Sequence, residues 1–199
     1  GGGPGGGDGG GAGGRGGVRA AGGMAAAMAA RRDGGGGTGG GAAARGMGTT
    51  DTFPRAARRT ALLGGVEVSI QGMAKGSGMI APDMATMLSF VATDAALPAA
   101  LLQAMLSAGV KRTFNCITVD SDTSTSDMVL MFATGAAGNA TPASTAPDAP
   151  ELADFRQALD SLLEELGLMV MRDGEGATKR MTIDVTGAGS ADSAWRVAV

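Results

Sequence analysis

Hydrophobic and polar positions organise the chain from residue 49 onward. Thr49–Pro54 reads as a turn or helix-end segment closed by a proline. Val66, Val68 and Ile70 alternate with Glu67, Ser69 and Gln71, a period of two that predicts a half-buried strand. A glycine-punctuated loop over residues 72–83 follows, and Thr86–Val91 predicts a second, more buried strand. Pro98 opens a predicted helix with Leu101, Leu102, Met105 and Leu106 on one face and Gly109 as its stop. Phe114–Val119 and Met128–Ala133 read as strands, joined by the polar connection Asp120–Asp127.

Residues 136–150, mainly Ala, Pro, Ser, Thr and Gly, predict a surface loop. Residues 151–167 predict a helix with Leu152, Phe155, Leu159, Leu162, Leu163 and Leu166 on its apolar face and Gly167 at its end. Leu168–Met171 then reads as a short strand, residues 172–179 as a second glycine-punctuated loop, and Met181, Ile183 and Val185 as an alternating strand. Ser190 is placed to cap a helix running to Val199. Strands and long helices in this mixture predict an α/β (α+β layered) domain, and no period of 20–50 residues signals a solenoid.

Composition changes the picture at the N-terminal end. Most of the 37 glycines fall in residues 1–48, a stretch too poor in apolar side chains to offset its chain entropy. It is expected to be flexible or degenerate sequence, with a short helix around Met24–Arg32. A dinucleotide-type phosphate loop does not fit, because no strand precedes the glycines and no acid follows at the right distance. The domain proper is therefore expected over residues 49–199.

A net charge of −3 argues against nucleic acid as a partner, and no apolar run of 18 residues suits a membrane span. No charged start followed by an apolar core and cleavage site predicts a signal peptide. The lone Cys116 excludes an intrachain disulfide and fits a reducing cytoplasm, the expected location. With no histidine beside it, Cys116 is expected to be a packing residue rather than a nucleophile.

The chain has no histidine and no tyrosine, so the usual general bases are missing. Thr86 offers a way round this. A small residue, Ala85, precedes it and the apolar run Met87–Val91 follows. Cleavage at Ala85–Thr86 would free an α-amine beside the Thr86 hydroxyl, and that amine can serve as the base for its own side chain. An α-amine titrates at about 7.7–8.0, close to a working pH. The alternative is an ordinary strand threonine.

Lys75 sits in a loop loosened by Gly72, Gly76 and Gly78, placed either to hold a substrate carboxylate as a point charge or as a solvated surface lysine. Glu175, between two glycines, is aimed at a substrate ammonium or is an exposed turn residue. Asp120, Asp122 and Asp127 lack the glycine and terminal glutamate of a calcium loop, so no metal is expected. Arg58–Arg59 and Lys111–Arg112 read as solvated charge.

Four blocks resemble the bifunctional ornithine acetyltransferase / glutamate N-acetyltransferase family of arginine biosynthesis: Thr49–Arg55, Gly72–Leu88, Asp120–Asp127 and Asp173–Lys179. Their order and spacing agree, and the resemblance extends over about residues 45–199. It implies a fold like that of the N-terminal-nucleophile hydrolases, with sheets sandwiched by helices. It further implies a precursor that cuts itself between Ala85 and Thr86, leaving α and β chains assembled as a heterotetramer of two of each. Thr86 then takes the acetyl group of N2-acetylornithine as an ester and passes it to glutamate. The substrates are small molecules, and some members also accept acetyl-CoA as donor. No other cofactor is implied.

Carried over residue by residue, the substrate contacts are Thr49, Lys75, Thr86 and Glu175. Departures from the family pattern are Asp83 for Asn, Ser121 for Gly and Ser126 for Asn. Thr38–Gly39 lies too near Thr49 to match the family's oxyanion pair, and the family's chains continue beyond the equivalent of Val199 to further substrate contacts. Two other readings stay open at this point: an N-terminal-nucleophile amidase or aminopeptidase with water as acceptor, and an inactive fragment.

Overall fold

Two glycines with positive φ, Gly64 (59°) and Gly65 (79°), reverse the chain between its first two strands. Positive φ at both central positions is the turn whose twist matches an antiparallel hairpin. The hairpin comprises β1 (Arg55–Leu63) and β2 (Val66–Lys75), in register from Leu63 opposite Val66 to Arg55 opposite Ala74. The structure is a computed structural model that describes residues 46–47, 51–76, 87–118, 127–174 and 176–198. Within these residues β2 pairs antiparallel with β3 (Leu88–Thr93), and β3 pairs parallel with β4 (Met128–Ala133), giving one sheet in the order β1-β2-β3-β4. Parallel neighbours need a crossover, and helix α1 (Ala99–Arg112) lies on it.

Helix α2 (Ala153–Arg172) packs across β1 and β2 and against α1. Phe155, Leu159, Leu162, Leu163 and Leu166 are fully buried, joined by Leu63, Ile70 and Val91 from the sheet and Leu101 and Met105 from α1. The opposite face of the sheet carries a smaller apolar cluster, Met73 and Ala92 with Phe90, Phe132 and Met47. The fold is thus the α/β layered class that the mixture of periods predicts. Among the described residues no helix is long and apolar enough to cross a membrane.

Several local expectations are corrected, three of them at glycines. Gly72–Lys75 belongs to β2 rather than to a loop. A Cβ on Gly72 would stand 2.7 Å from Leu166 Cδ1 and 2.8 Å from Leu162 Cδ2, so this glycine lets α2 lie directly on the sheet. Gly109 does not stop α1, which runs on to Arg112; it lies under Leu163, whose Cδ1 would be 2.6 Å from an added Cβ. Gly167 lies inside α2, and Leu168–Met171 is helical rather than a strand. A mid-helix glycine costs roughly 1 kcal/mol against alanine. The buried face of α2, which continues to Val170, outweighs that cost.

Elsewhere Phe114–Cys116 forms a short 3-10 helix in place of the expected strand. Met181, Ile183 and Val185 form no strand: Met181 and Ile183 are exposed, and among the described residues nothing pairs with this stretch. Cys116 is exposed rather than packed, its Sγ 3.3 Å from the Lys111 carbonyl. Arg58, Lys111 and Arg112 are exposed, as expected of solvated charge, with surface ion pairs from Lys111 to Asp192 (2.7 Å) and Arg112 to Asp160 (2.7 Å), while Arg59 is half-buried and binds Glu165 (2.6 Å). The strand expected over Thr86–Val91 is β3, Leu88–Thr93, with Met87 ahead of it and Thr86 outside the described residues. The final helix, α3 (Ala191–Ala198), is capped as expected, with the Ser193 N–H donating to Ser190 Oγ at 3.1 Å.

The α2–sheet contact makes two predictions for urea denaturation. Leu162→Ala is expected to lower stability by about 2–5 kcal/mol through the cavity it leaves. Gly72→Ala is expected to lower it by about 1–3 kcal/mol by overpacking against Leu162 and Leu166. An unchanged midpoint for either variant would contradict this packing.

Candidate active site

Of the residues singled out by sequence, Lys75 is described, and Thr49, Ala85, Thr86 and Glu175 lie outside the described residues. Lys75 ends β2, half-buried, in register with Leu88 at the start of β3. Gly76 follows it at φ 125°. A Cβ there would lie 2.8 Å from Met87 Cα, so the main chains of residues 76 and 87 are in direct contact.

Arg55 draws three of the four motif blocks together. It opens β1 and is 1% exposed. Its Nη1 forms an ion pair with Asp51 Oδ1 at 2.7 Å and donates to the Gly76 carbonyl at 2.6 Å, and its Nη2 donates to Asp173 Oδ2. The Gly76 N–H closes the arrangement by donating to Asp51 Oδ1 at 3.1 Å. Thr52 donates to Asp173 twice, from its N–H to Oδ2 at 2.8 Å and from its hydroxyl to Oδ1. The Phe53 ring lies 5.7 Å from the Arg55 guanidinium carbon.

The third block joins through Asp127, whose Oδ1 accepts the Met87 N–H at 3.0 Å. The first block is therefore tied to the second and the fourth through Arg55, and the second to the third through Asp127. The fixed residues are near chain neighbours of the sequence-predicted contacts. Asp51 is two after Thr49, Gly76 follows Lys75, Met87 follows Thr86, and Asp173 is two before Glu175. Around the last of these, the Ala177 N–H donates to the Gly174 carbonyl at 3.0 Å and Gly176 takes φ 73°, a tight turn suited to glycine.

The electrostatics fit a structural anchor. Burial acts to raise the Asp173 carboxyl, but the Thr52 hydroxyl, the Thr52 amide and the Arg55 guanidinium together hold its pKa below the ordinary carboxylate value. Among the described residues no cluster of acids, cysteine or histidine is arranged to hold a metal. A groove of about 730 Å³ runs between the end of α2, residues 177–185 and α3, lined by Met171, Ile183 and Trp195 with Arg172, Lys179 and Arg180. It takes no residue from the first three blocks.

Sequence reasoning missed the anchoring roles of Asp51, Arg55, Asp127 and Asp173. The available signal was their position inside the four blocks, where charges of opposite sign recur at the ends of segments far apart in sequence.

Comparison with known proteins gives the chain its family. The ArgJ family model matches residues 18–199, and the chain belongs to that family. It is 60% identical over 156 residues to the arginine biosynthesis bifunctional protein ArgJ of Gluconobacter oxydans, covering 78% of this chain and 36% of that protein. The protein of the same name from Mesorhizobium japonicum is 56% identical over 157 residues, covering 78% and 38% respectively. The chain thus spans little more than a third of the length of these relatives. A crystal structure of arginine biosynthesis bifunctional protein argJ from Bacillus halodurans is similar at a TM-score of 0.39 with 49% identity, covering 43% of this chain and 39% of that one.

Two predictions follow from the anchor. Arg55→Met leaves two buried carboxylates without their cation and is expected to cost about 3–5 kcal/mol in denaturant unfolding. Asp173 has a lowered folded pKa, so its contribution is present above the unfolded value of about 3.9 and is lost as pH falls through the folded value. Asp173→Asn should therefore be less stable than the parent at neutral pH, with the gap closing in acid. A gap that stays constant from neutral pH to below pH 3 would contradict the assignment.

Proposed function

We propose that this chain is the part of an ornithine acetyltransferase / glutamate N-acetyltransferase that carries the nucleophile, Thr86. The observation that carries this reading is the convergence of the four family blocks on one place in the fold, in a chain that belongs to the ArgJ family. In this reading residues 49–199 form the acetyltransferase domain, onto which Met47 packs, and the complete protein forms the sandwich of an N-terminal-nucleophile enzyme. It works in the cytoplasm as two α and two β chains cut between Ala85 and Thr86.

Self-cleavage begins with attack of the Thr86 hydroxyl on the Ala85 carbonyl. The acyl group moves from nitrogen to oxygen, and water then hydrolyses the ester, leaving a free α-amine on Thr86. In turnover that amine takes the hydroxyl proton while Oγ attacks the acetyl carbonyl of N2-acetylornithine. The C–N bond breaks, the proton passes to the leaving ornithine amine, and an acetyl-Thr86 ester remains. The amine of glutamate attacks this ester, N-acetylglutamate leaves, and the hydroxyl is restored. Lys75 pairs with the substrate carboxylate and Glu175 with its ammonium group, while Thr49 contributes a hydroxyl contact. The sequence of half-reactions is ping-pong, and acetyl-CoA is a second donor to be assayed.

The test is the intact mass of the purified full-length protein under denaturing conditions. Two species meeting at Ala85–Thr86 are expected, with a single uncut species for Thr86→Ala. Acetyl transfer from N2-acetylornithine to glutamate should accompany the cut form. Cut protein that only hydrolyses acetylornithine would make it an amidase, and an uncut parent would overturn the role of Thr86.

A further inference from the structure

Met87 is held on two sides. Its N–H donates to Asp127 Oδ1 at 3.0 Å, and its carbonyl accepts the Met128 N–H at 3.0 Å. The second bond continues the parallel β3–β4 ladder, in which Leu88 stands opposite Met128. The first is different in kind, because a side chain supplies it just ahead of the residues paired in the ladder. From the β2 end, the Gly76 main chain presses on Met87 so closely that a side chain at residue 76 would meet Met87 Cα at 2.8 Å. A ladder bond, a carboxylate and a main-chain contact thus fix one residue at the mouth of the sheet.

The N–H that Asp127 accepts belongs to the peptide joining Met87 to Thr86. That unit is planar, so fixing the direction of its N–H constrains the plane that Thr86 shares. The bond has the ordinary N–H···O length, 3.0 Å, with a carboxylate oxygen as its acceptor. We propose that Asp127 is a positioning residue for Thr86, acting through the Met87 amide in both self-cleavage and acetyl transfer. The inference rests on Thr86 being the nucleophile. Asp127 touches no reacting atom in this scheme; it sets the geometry of the residue that does. Reaction rates respond steeply to such geometry, a misplacement of about 1 Å costing up to on the order of a hundredfold.

The Asp127–Met87 bond is exposed, so its loss should leave the fold standing. The experiment compares the full-length parent with Asp127→Ala and Asp127→Asn. It follows the rate at which the two fragments appear, kcat and KM for acetylornithine in the matured protein, and hydrogen exchange at the Met87 amide. Asp127→Ala is expected to slow cleavage and lower kcat by on the order of tenfold or more with KM unchanged, and to unprotect the Met87 amide. Asp127→Asn keeps an acceptor oxygen and should recover most of the rate.

A purely structural role would shift the melting temperature and leave kcat in place. Parent-like cleavage and kcat in Asp127→Ala, with the parent itself cut, would overturn the inference and leave the Thr86 reading intact. A Met87 amide equally protected in Asp127→Ala would overturn the clamp itself. A parent that is never cut would remove the Thr86 reading, and this inference with it.

Discussion

A guanidinium buried as fully as Arg55 must be paired, because an unpaired buried charge is among the most costly features a fold can carry. Arg55 meets that requirement with two carboxylates and a carbonyl, and the three come from different segments: Asp51 before β1, Gly76 after β2 and Asp173 after α2. Satisfying one charge therefore sets the relative positions of three chain ends. The excess negative charge is absorbed by N–H and O–H donors, Gly76 on Asp51 and Thr52 on Asp173.

The sheet and α2 make this meeting possible. The β1–β2 hairpin brings Arg55 opposite Ala74, next to the Lys75–Gly76 exit of β2. Gly72 then lets α2 lie flat across the hairpin. The length of α2 matters as much as its face. It runs five residues past Gly167, about 7.5 Å at 1.5 Å per residue, and releases the chain at Asp173 beside Arg55. A helix ending at Gly167 would leave that carboxylate short of its cation.

Much of this was legible in the sequence. The alternation of Val66, Val68 and Ile70, the apolar face of α2 and the Ser190 cap each rest on a local period or a local hydrogen bond. The four motif blocks were visible too, and three of them meet at Arg55. What was not legible depends on contacts distant in sequence. Gly109 and Gly167 look like stops until Leu163, Phe114 and Ile117 are placed against them. Strand β1 was hidden because its alternation is carried by Arg, Ala and Thr rather than by large apolar residues. The alternation over Met181–Val185 is real, but alternation alone forms no strand without a partner to pair with. Asp173 and Arg55, 118 residues apart, carry no local signal of their pairing.

The central claim is that one buried cation docks three motif segments as a unit. Segment-resolved hydrogen exchange on the parent and on Arg55→Met tests it most directly. The account predicts a joint loss of protection in residues 51–55, at Gly76 and around residues 173–177, while Ile70 and Val91 in the centre of the sheet stay protected. Loss confined to residues 51–55, with Gly76 and residues 173–177 unchanged, would contradict it.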